Sequence, residues 1–304
     1  MQTTLHHDVT FAGFGLHTGR PARVVLHPAA AGDGIVFRRT DRDNALVPAR
    51  WDHVTLSPLN TRIENADGIS VSTIEHLMAA LAGCGVHNAL IDIDGPEVPI
   101  LDGSAADFVR GIITAGLAQL DAPLWAIRVL RAVAVRQGDA TASLSPADTL
   151  QIDFTIDFTD AAIGHQEMTL NMANGSFVRE LCDSRTFCRR SDVARMQAEG
   201  KALGGTLLNA VVFDGDLVLS PGGLRHRNEA VRHKMLDALG DLSTAAAPIL
   251  GHYTGHKAGH ALTNTLLRTL FSTPGAWELV PCDALMAATL PGAGVHLADL
   301  GAVA

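Results

Sequence analysis

Val231-Arg232-His233-Lys234-Met235-Leu236-Asp237-Ala238-Leu239-Gly240-Asp241-Leu242 reads as a helix with two opposed faces. At 100° per residue, Val231, Met235, Ala238, Leu239 and Leu242 form one apolar stripe, while His233, Lys234, Asp237 and Asp241 gather on the other side. The periodic pattern predicts a helix over 228–246, and its stripe must be buried against another layer. Strands supply that layer. Residues 150–158 alternate apolar and polar throughout, and 87–94 do the same in the first half of the chain. Shorter β-like runs lie at 23–27, 34–38, 125–135 and 205–213, and further helical spacing at 72–83, 104–117 and 257–270. Each half thus holds several strands and two main helices, which predicts α+β layers in both.

At 304 residues the chain exceeds the roughly 250–300 that one hydrophobic core supports, so two domains are expected. The boundary is placed at Leu120-Asp121-Ala122-Pro123, giving domains 1–122 and 123–304. No internal sequence repeat is strong enough to establish a duplication. An apolar fraction of 47% and a charged fraction of 18% describe an ordinary globular protein. The net charge of −9 argues against a nucleic-acid surface, which needs a basic stripe, but a few local cations can still hold a phosphate. The start, Met1-Gln2-Thr3-Thr4-Leu5-His6-His7-Asp8, has no basic region leading an apolar run, and no segment is apolar enough to span a membrane. Cys84, Cys182, Cys188 and Cys282 form no C-x-x-C pair. Reduced thiols and a cytoplasmic location are expected.

The polar side of the 228–246 helix carries a possible metal site. His233 and Asp237 are four residues apart, so both reach one ion from the same face. A second cluster, Val71-Ser72-Thr73-Ile74-Glu75-His76-Leu77, adds His76. Two imidazoles and one carboxylate make the set of a catalytic zinc that keeps a position open for water, and Glu75 then becomes a candidate base. Other readings stand beside this one. Ser72-Thr73-Ile74-Glu75 matches a capping box, which would explain Glu75 without chemistry, and the face of His233 and Asp237 could be merely solvated. Two His and one carboxylate also form the iron triad of oxygenases, or a structural metal in a binding protein. In Gly255-His256-Lys257-Ala258-Gly259-His260 a helix start could attract an anion, with Lys257 holding a phosphate. His260 could donate a proton, its pKa raised by a carboxylate such as Asp241. Gly13-Phe14-Gly15-Leu16-His17-Thr18-Gly19 reads as a tight loop, Asp102-Gly103-Ser104 as a turn and helix cap, and Ser184-Arg185-Thr186-Phe187 offers a hydroxyl as an oxyanion donor.

These segments, in this order and over nearly the whole chain, resemble the UDP-3-O-acyl-N-acetylglucosamine deacetylases of lipid A biosynthesis. The likeness rests on Gly13 to Gly19, Ser72 to Leu77, Asp102-Gly103-Ser104-Ala105, Arg185-Thr186-Phe187, Val231 to Asp237 and Gly259-His260-Ala261-Leu262. The resemblance implies zinc, with ferrous iron possible, on His76, His233 and Asp237. It implies Glu75 as general base, His260 as general acid oriented by Asp241, and Thr186 as oxyanion donor. Lys234 would stand beside the substrate, Lys257 near its nucleotide phosphates, and Phe158 against the uracil, with Phe187 as a further substrate contact. The implied activity is hydrolysis of the N-acetyl group of UDP-3-O-(3-hydroxyacyl)-N-acetylglucosamine, the committed step of lipid A biosynthesis. The implied fold is two α+β domains of similar layered architecture with helices sandwiched between sheets. An inserted β-α-β segment near 188–217, containing Met196, Leu203, Leu207, Leu208, Val211 and Val212, would pass the acyl chain. Leu59-Asn60-Thr61-Arg62 would lie near the site entrance, and a monomer is expected.

Overall fold

The computed structural model describes residues 1–299; residues 300–304, the end of the second assigned domain, lie outside the described residues. In the first half, five strands lie side by side in the order Val9–Phe14, Pro21–Pro28, Ala89–Ile93, Ile35–Arg39, Ala45–Pro48. Neighbours are antiparallel except Ile35–Arg39 and Ala89–Ile93, which run parallel. A parallel pair needs a crossover, and the helix Glu75–Gly83 lies within it.

The second half repeats the pattern step for step. Val133–Gln137, Ala140–Ser145, Ile249–His256, Leu150–Asp157 and His165–Asn171 lie in that spatial order, again with one parallel pair, Leu150–Asp157 on Ile249–His256. Each central strand is preceded by one helix and followed by another: Glu75–Gly83 and Ala106–Ala115 in the first half, Glu229–Ser243 and His260–Ser272 in the second. The chain therefore contains a duplicated α+β unit that residue identity hides, because such a unit requires only matching burial periods. Trp125–Val129 and Trp277–Pro281 extend the second sheet to seven strands.

The helices fill the space between the sheets. Glu75–Gly83 packs against Glu229–Ser243 at the centre, Ala106–Ala115 against Val9–Phe14, and His260–Ser272 against Val133–Gln137 and Ala140–Ser145. Inward-facing Val24, Leu26, Phe37 and Ile91 of one sheet and Leu144, Ile152 and Tyr253 of the other belong to one continuous buried cluster. The alternation of 150–158 buries Leu150, Ile152, Phe154 and Ile156, as its period predicts. The two central helices meet backbone to backbone. A Cβ built on Gly240 would lie 2.1 Å from the carbonyl oxygen of Glu75. Gly240→Ala is therefore expected to force the helices apart at a cost of about 1–3 kcal/mol, seen as a lowered Tm in thermal melts. An unchanged Tm would show that the contact yields freely.

Four local expectations need correction. The helix expected from 72 begins at Glu75, because Thr73 adopts φ +58° and the N-cap residue Ile74 has no side-chain cap. The capping box does not form. The 257–270 helix begins at His260, since the strand Ile249–His256 runs on and Lys257 turns at φ +50°. The 205–213 run shrinks to Val211–Asp214, because Asn209 Oδ1 accepts from the Thr206 N–H (2.7 Å) and closes a turn before it. The 125–135 run is two strands, Trp125–Val129 and Val133–Gln137, on different neighbours. The insert is β-α-β as expected: Phe187–Arg189, the helix Arg190–Ala198, then Val211–Asp214 parallel to the first strand.

Candidate active site

The helix pair at the centre of the sandwich brings both sequence clusters together. His76, His233 and Asp237 offer three ligand atoms within 4.8 Å of one another. The imidazoles stand edge to face, with centroids 4.9 Å apart. His233 Nε2 and His76 Nε2 lie 3.3 and 3.6 Å from Asp237 Oδ1. The Nδ1–H of His233 donates to the Ser184 carbonyl (3.0 Å), which leaves Nε2 free for an ion. Burial pushes the His233 imidazole down to about 4, so it is neutral at pH 7 as a ligand must be. Asp237 Oδ1 is buried without a hydrogen-bond partner. An orphaned carboxylate oxygen facing two imidazoles fits a divalent metal. Burial opposes charge on Asp237, but His233 and Lys234 outweigh it and hold the carboxyl well below its ordinary range. Lys234 Nζ donates to Asp237 Oδ2 at 2.7 Å. The polar face is therefore not solvated: Glu75, His76, His233, Asp237 and Asp241 are each 2–4% exposed.

Two further groups flank the cluster. Glu75 Oε2 accepts the backbone N–H of Thr61 (3.0 Å), and Glu75 Oε1 lies 3.9 Å from His260 Nε2. Burial raises the Glu75 carboxyl, against the pull of His260 and His76, so it is a better proton acceptor than an exposed glutamate. His260 Nδ1 donates to Asp241 at 3.0 Å, and its Nε2 also lies 3.9 Å from Asp237 Oδ2. Burial would lower the His260 imidazole, but the carboxylates of Asp241 and Glu75 prevail and raise it to about 9. His260 therefore carries a proton at neutral pH.

A raised histidine pKa is also a stability statement. In metal-free protein, the His260–Asp241 pair stabilises the fold fully below the ordinary value of 6.5 and loses that effect as pH rises through about 9. The Tm advantage of wild type over Asp241→Asn is expected to shrink from pH 6 to pH 10 in chelated samples. A constant difference would show that the pair does not titrate there.

The remaining predicted residues are less tightly gathered. Thr186 follows Ser184 by two positions; its N–H donates to Gly103 (2.7 Å) and its carbonyl accepts from Val211 (2.8 Å), so it is pinned beside the His233 contact. Phe187 packs edge-on to His233 (6.3 Å) and to Phe158 (5.7 Å), joining both aromatics to the site wall. Lys257 stands apart, held by Asp139 (3.0 Å) and Asp157 (3.4 Å) instead of presenting a free charge. Thr61 was not singled out, although its N–H binds Glu75 and its hydroxyl donates to Asp241. The carbonyl of Ser184 was missed too, since any residue type could supply it. Arg185 and Glu229 form a buried ion pair (2.8 Å) that fastens the Ser184–Thr186 strap to the start of the Glu229–Ser243 helix.

A buried two-His, one-carboxylate cluster, flanked by an uncapped carboxylate and a cationic imidazole, defines a metal-dependent hydrolase. Residues 2–272 match the family described as LpxC: UDP-3-O-acyl N-acetylglycosamine deacetylase. Curated relatives named UDP-3-O-acyl-N-acetylglucosamine deacetylase include one from Phenylobacterium zucineum, 47% identical over 91% of this chain and 96% of its own length. Another, from Myxococcus xanthus, is 44% identical over 92% of this chain and 89% of its own. A third, from Shewanella oneidensis, is 42% identical over 96% and 97%. The chain belongs to this deacetylase family, whose members are metalloenzymes. Among the described residues no helix is long and apolar enough to cross a membrane.

Proposed function

We propose that the protein hydrolyses the N-acetyl group of UDP-3-O-(3-hydroxyacyl)-N-acetylglucosamine, giving acetate and the 2-amino sugar nucleotide, the committed step of lipid A biosynthesis. One observation carries the reading: in a chain of this family, a raised buried carboxylate and a cationic imidazole flank a three-ligand cluster with an orphaned oxygen. His76, His233 and Asp237 would hold the metal, zinc in this reading, with ferrous iron the alternative. When bound, such an ion lowers the pKa of water toward about 7 and polarises an amide carbonyl. Glu75 takes the proton of the attacking water. Thr186 donates its hydroxyl to the tetrahedral oxyanion, and Lys234 adds positive charge beside it. His260, oriented by Asp241, hands its proton to the departing nitrogen, so the amine leaves neutral.

Phe158 and Lys257 are assigned to the nucleotide end of the substrate, with Phe187 a further substrate contact, and Lys257 would exchange Asp139 or Asp157 for phosphate there. The insert is assigned to the acyl chain. Leu203, Leu207, Leu208 and Leu217, 43–73% exposed, give that segment apolar surface open to solvent. The repeats are assigned as domains 1–122 and 123–304. A monomer is assigned, and a nucleotide sugar together with free cysteines fits the cytoplasm. The test is acetate release from the acylated nucleotide sugar before chelation, after it, and after zinc or ferrous iron is restored. Metal-dependent release supports the reaction and ranks the two ions. Release that survives complete chelation would refute a metal role.

A further inference from the structure

Glu97 is 1% exposed and has no part in the chemistry above. Its carboxylate takes three donors from two separate segments. Oε1 accepts the His17 N–H (2.8 Å) and the Thr73 hydroxyl (2.9 Å), and Oε2 accepts the Thr18 N–H (2.8 Å). The first segment is the Gly13–Gly19 loop. A Cβ on Gly15 would lie 2.2 Å from Glu97 Oε2, so the loop lies directly on the carboxylate. The other side of the same loop carries the insert: Leu203 and Gly204 donate to the carbonyls of His17 (3.2 Å) and Leu16 (2.9 Å), and a Cβ on Gly204 would sit 2.3 Å from the Gly15 carbonyl oxygen.

The second segment is the turn that launches the Glu75–Gly83 helix. Thr73 has φ +58°, a left-handed conformation that a β-branched residue strongly disfavours. Strain of this kind persists only where the surroundings over-determine it. Here the Thr73 hydroxyl is held from two sides, donating to Glu97 and accepting from Asn60 Nδ2 (3.0 Å). The backbones run together as well: Ser72 N–H donates to Pro96 (2.9 Å) and Val98 N–H to Ser72 (3.0 Å). Glu75 and His76 follow within three residues of the strained position.

We propose that Glu97 is a positioning residue for the hydrolysis: its carboxylate holds Thr73 in the strained turn from which Glu75 and His76 depart, and ties that turn to the loop backing the insert. The inference rests on Glu75 being the base. In Glu97→Ala all three bonds are lost, Thr73 relaxes, and Glu75 shifts. A small misplacement of a reacting group is expected to lower kcat by about 10²-fold, with KM little changed. Glycine adopts positive φ without strain, so adding Thr73→Gly to Glu97→Ala removes the drive to relax and should recover most of the lost kcat. The His17 and Thr18 amides, which donate to Glu97 in wild type, should exchange faster in Glu97→Ala whether or not metal is bound.

A folded Glu97→Ala protein with wild-type kcat overturns the proposal, and so does a loss that Thr73→Gly leaves in place, since a merely structural carboxylate would not be rescued by relaxing residue 73. If Glu97→Ala does not fold, Thr73→Val, which keeps Glu97 and its loop contacts but loses the hydroxyl, should show the same fall in kcat; wild-type kcat there is equally fatal. Glu75→Ala assayed alongside separates the two ideas. Full activity in it would discard Glu75 as base, whereas the rescue pair reports on the turn itself.

Discussion

Glu75→Ala is expected to lower turnover by about 10²–10⁴-fold while metal stays bound at wild-type stoichiometry. The glutamate faces the ligand cluster without belonging to it, and its Oε2 accepts the Thr61 N–H. Oε1 is left toward His260, 3.9 Å away. Burial raises its proton affinity, which suits a group that takes a proton from water and passes it on. Removing it takes away the proton acceptor and leaves the three ligand atoms in place. His260→Ala should fall by a comparable factor for the opposite reason, loss of the donor. Steady-state acetate release with metal content measured on the same sample checks both. Turnover near wild type in Glu75→Ala would remove it from the mechanism.

His233→Ala is expected to abolish stoichiometric metal binding, and activity with it. Its Nε2 is one of three donor atoms, and the Ser184 carbonyl fixes the ring so that this nitrogen faces Asp237. With the ring gone, two donors remain, and Asp237 Oδ1 stays buried without the neutral imidazole opposite it. Loss of an oriented ligand exceeds the tenfold to hundredfold effect typical of losing its outer-shell partner. Elemental analysis after dialysis against a weak chelator is the measurement. Tight one-to-one metal in the variant would take His233 out of the ligand set. The variant should still fold, because its apolar neighbours Val231, Met235 and Leu239 keep the helix anchored in the core.

Much of this was legible along the chain. The periods of 87–94, 150–158 and 228–246 are local properties, and the structure keeps each of them. The spacing of His233 and Asp237 places both on one helical face whatever that helix packs against. The duplication was hidden because strands such as Ala89–Ile93 and Ile249–His256 share a place in the topology and not a sequence. The capping box, the alternative reading of Ser72–Glu75, does not form, since a left-handed Thr73 held by Glu97 overrides local preference. The helix start expected at Lys257 failed for a similar reason, because the strand Ile249–His256 is paired on both sides and carries the chain past that point.

The sequence by itself determined which residues could bind a metal, move a proton and form helices and strands, because those properties depend on residue type and on neighbours a few positions away. Only the tertiary structure decided that Glu75 accepts from Thr61 instead of capping its own helix, that the polar helix face is buried, and that Ser184 and Glu97 hydrogen-bond His233 and Thr73. Those outcomes come from contacts between segments far apart in the chain. One of the tightest, Gly240 against the backbone of Glu75, exists only when the two repeats close on each other.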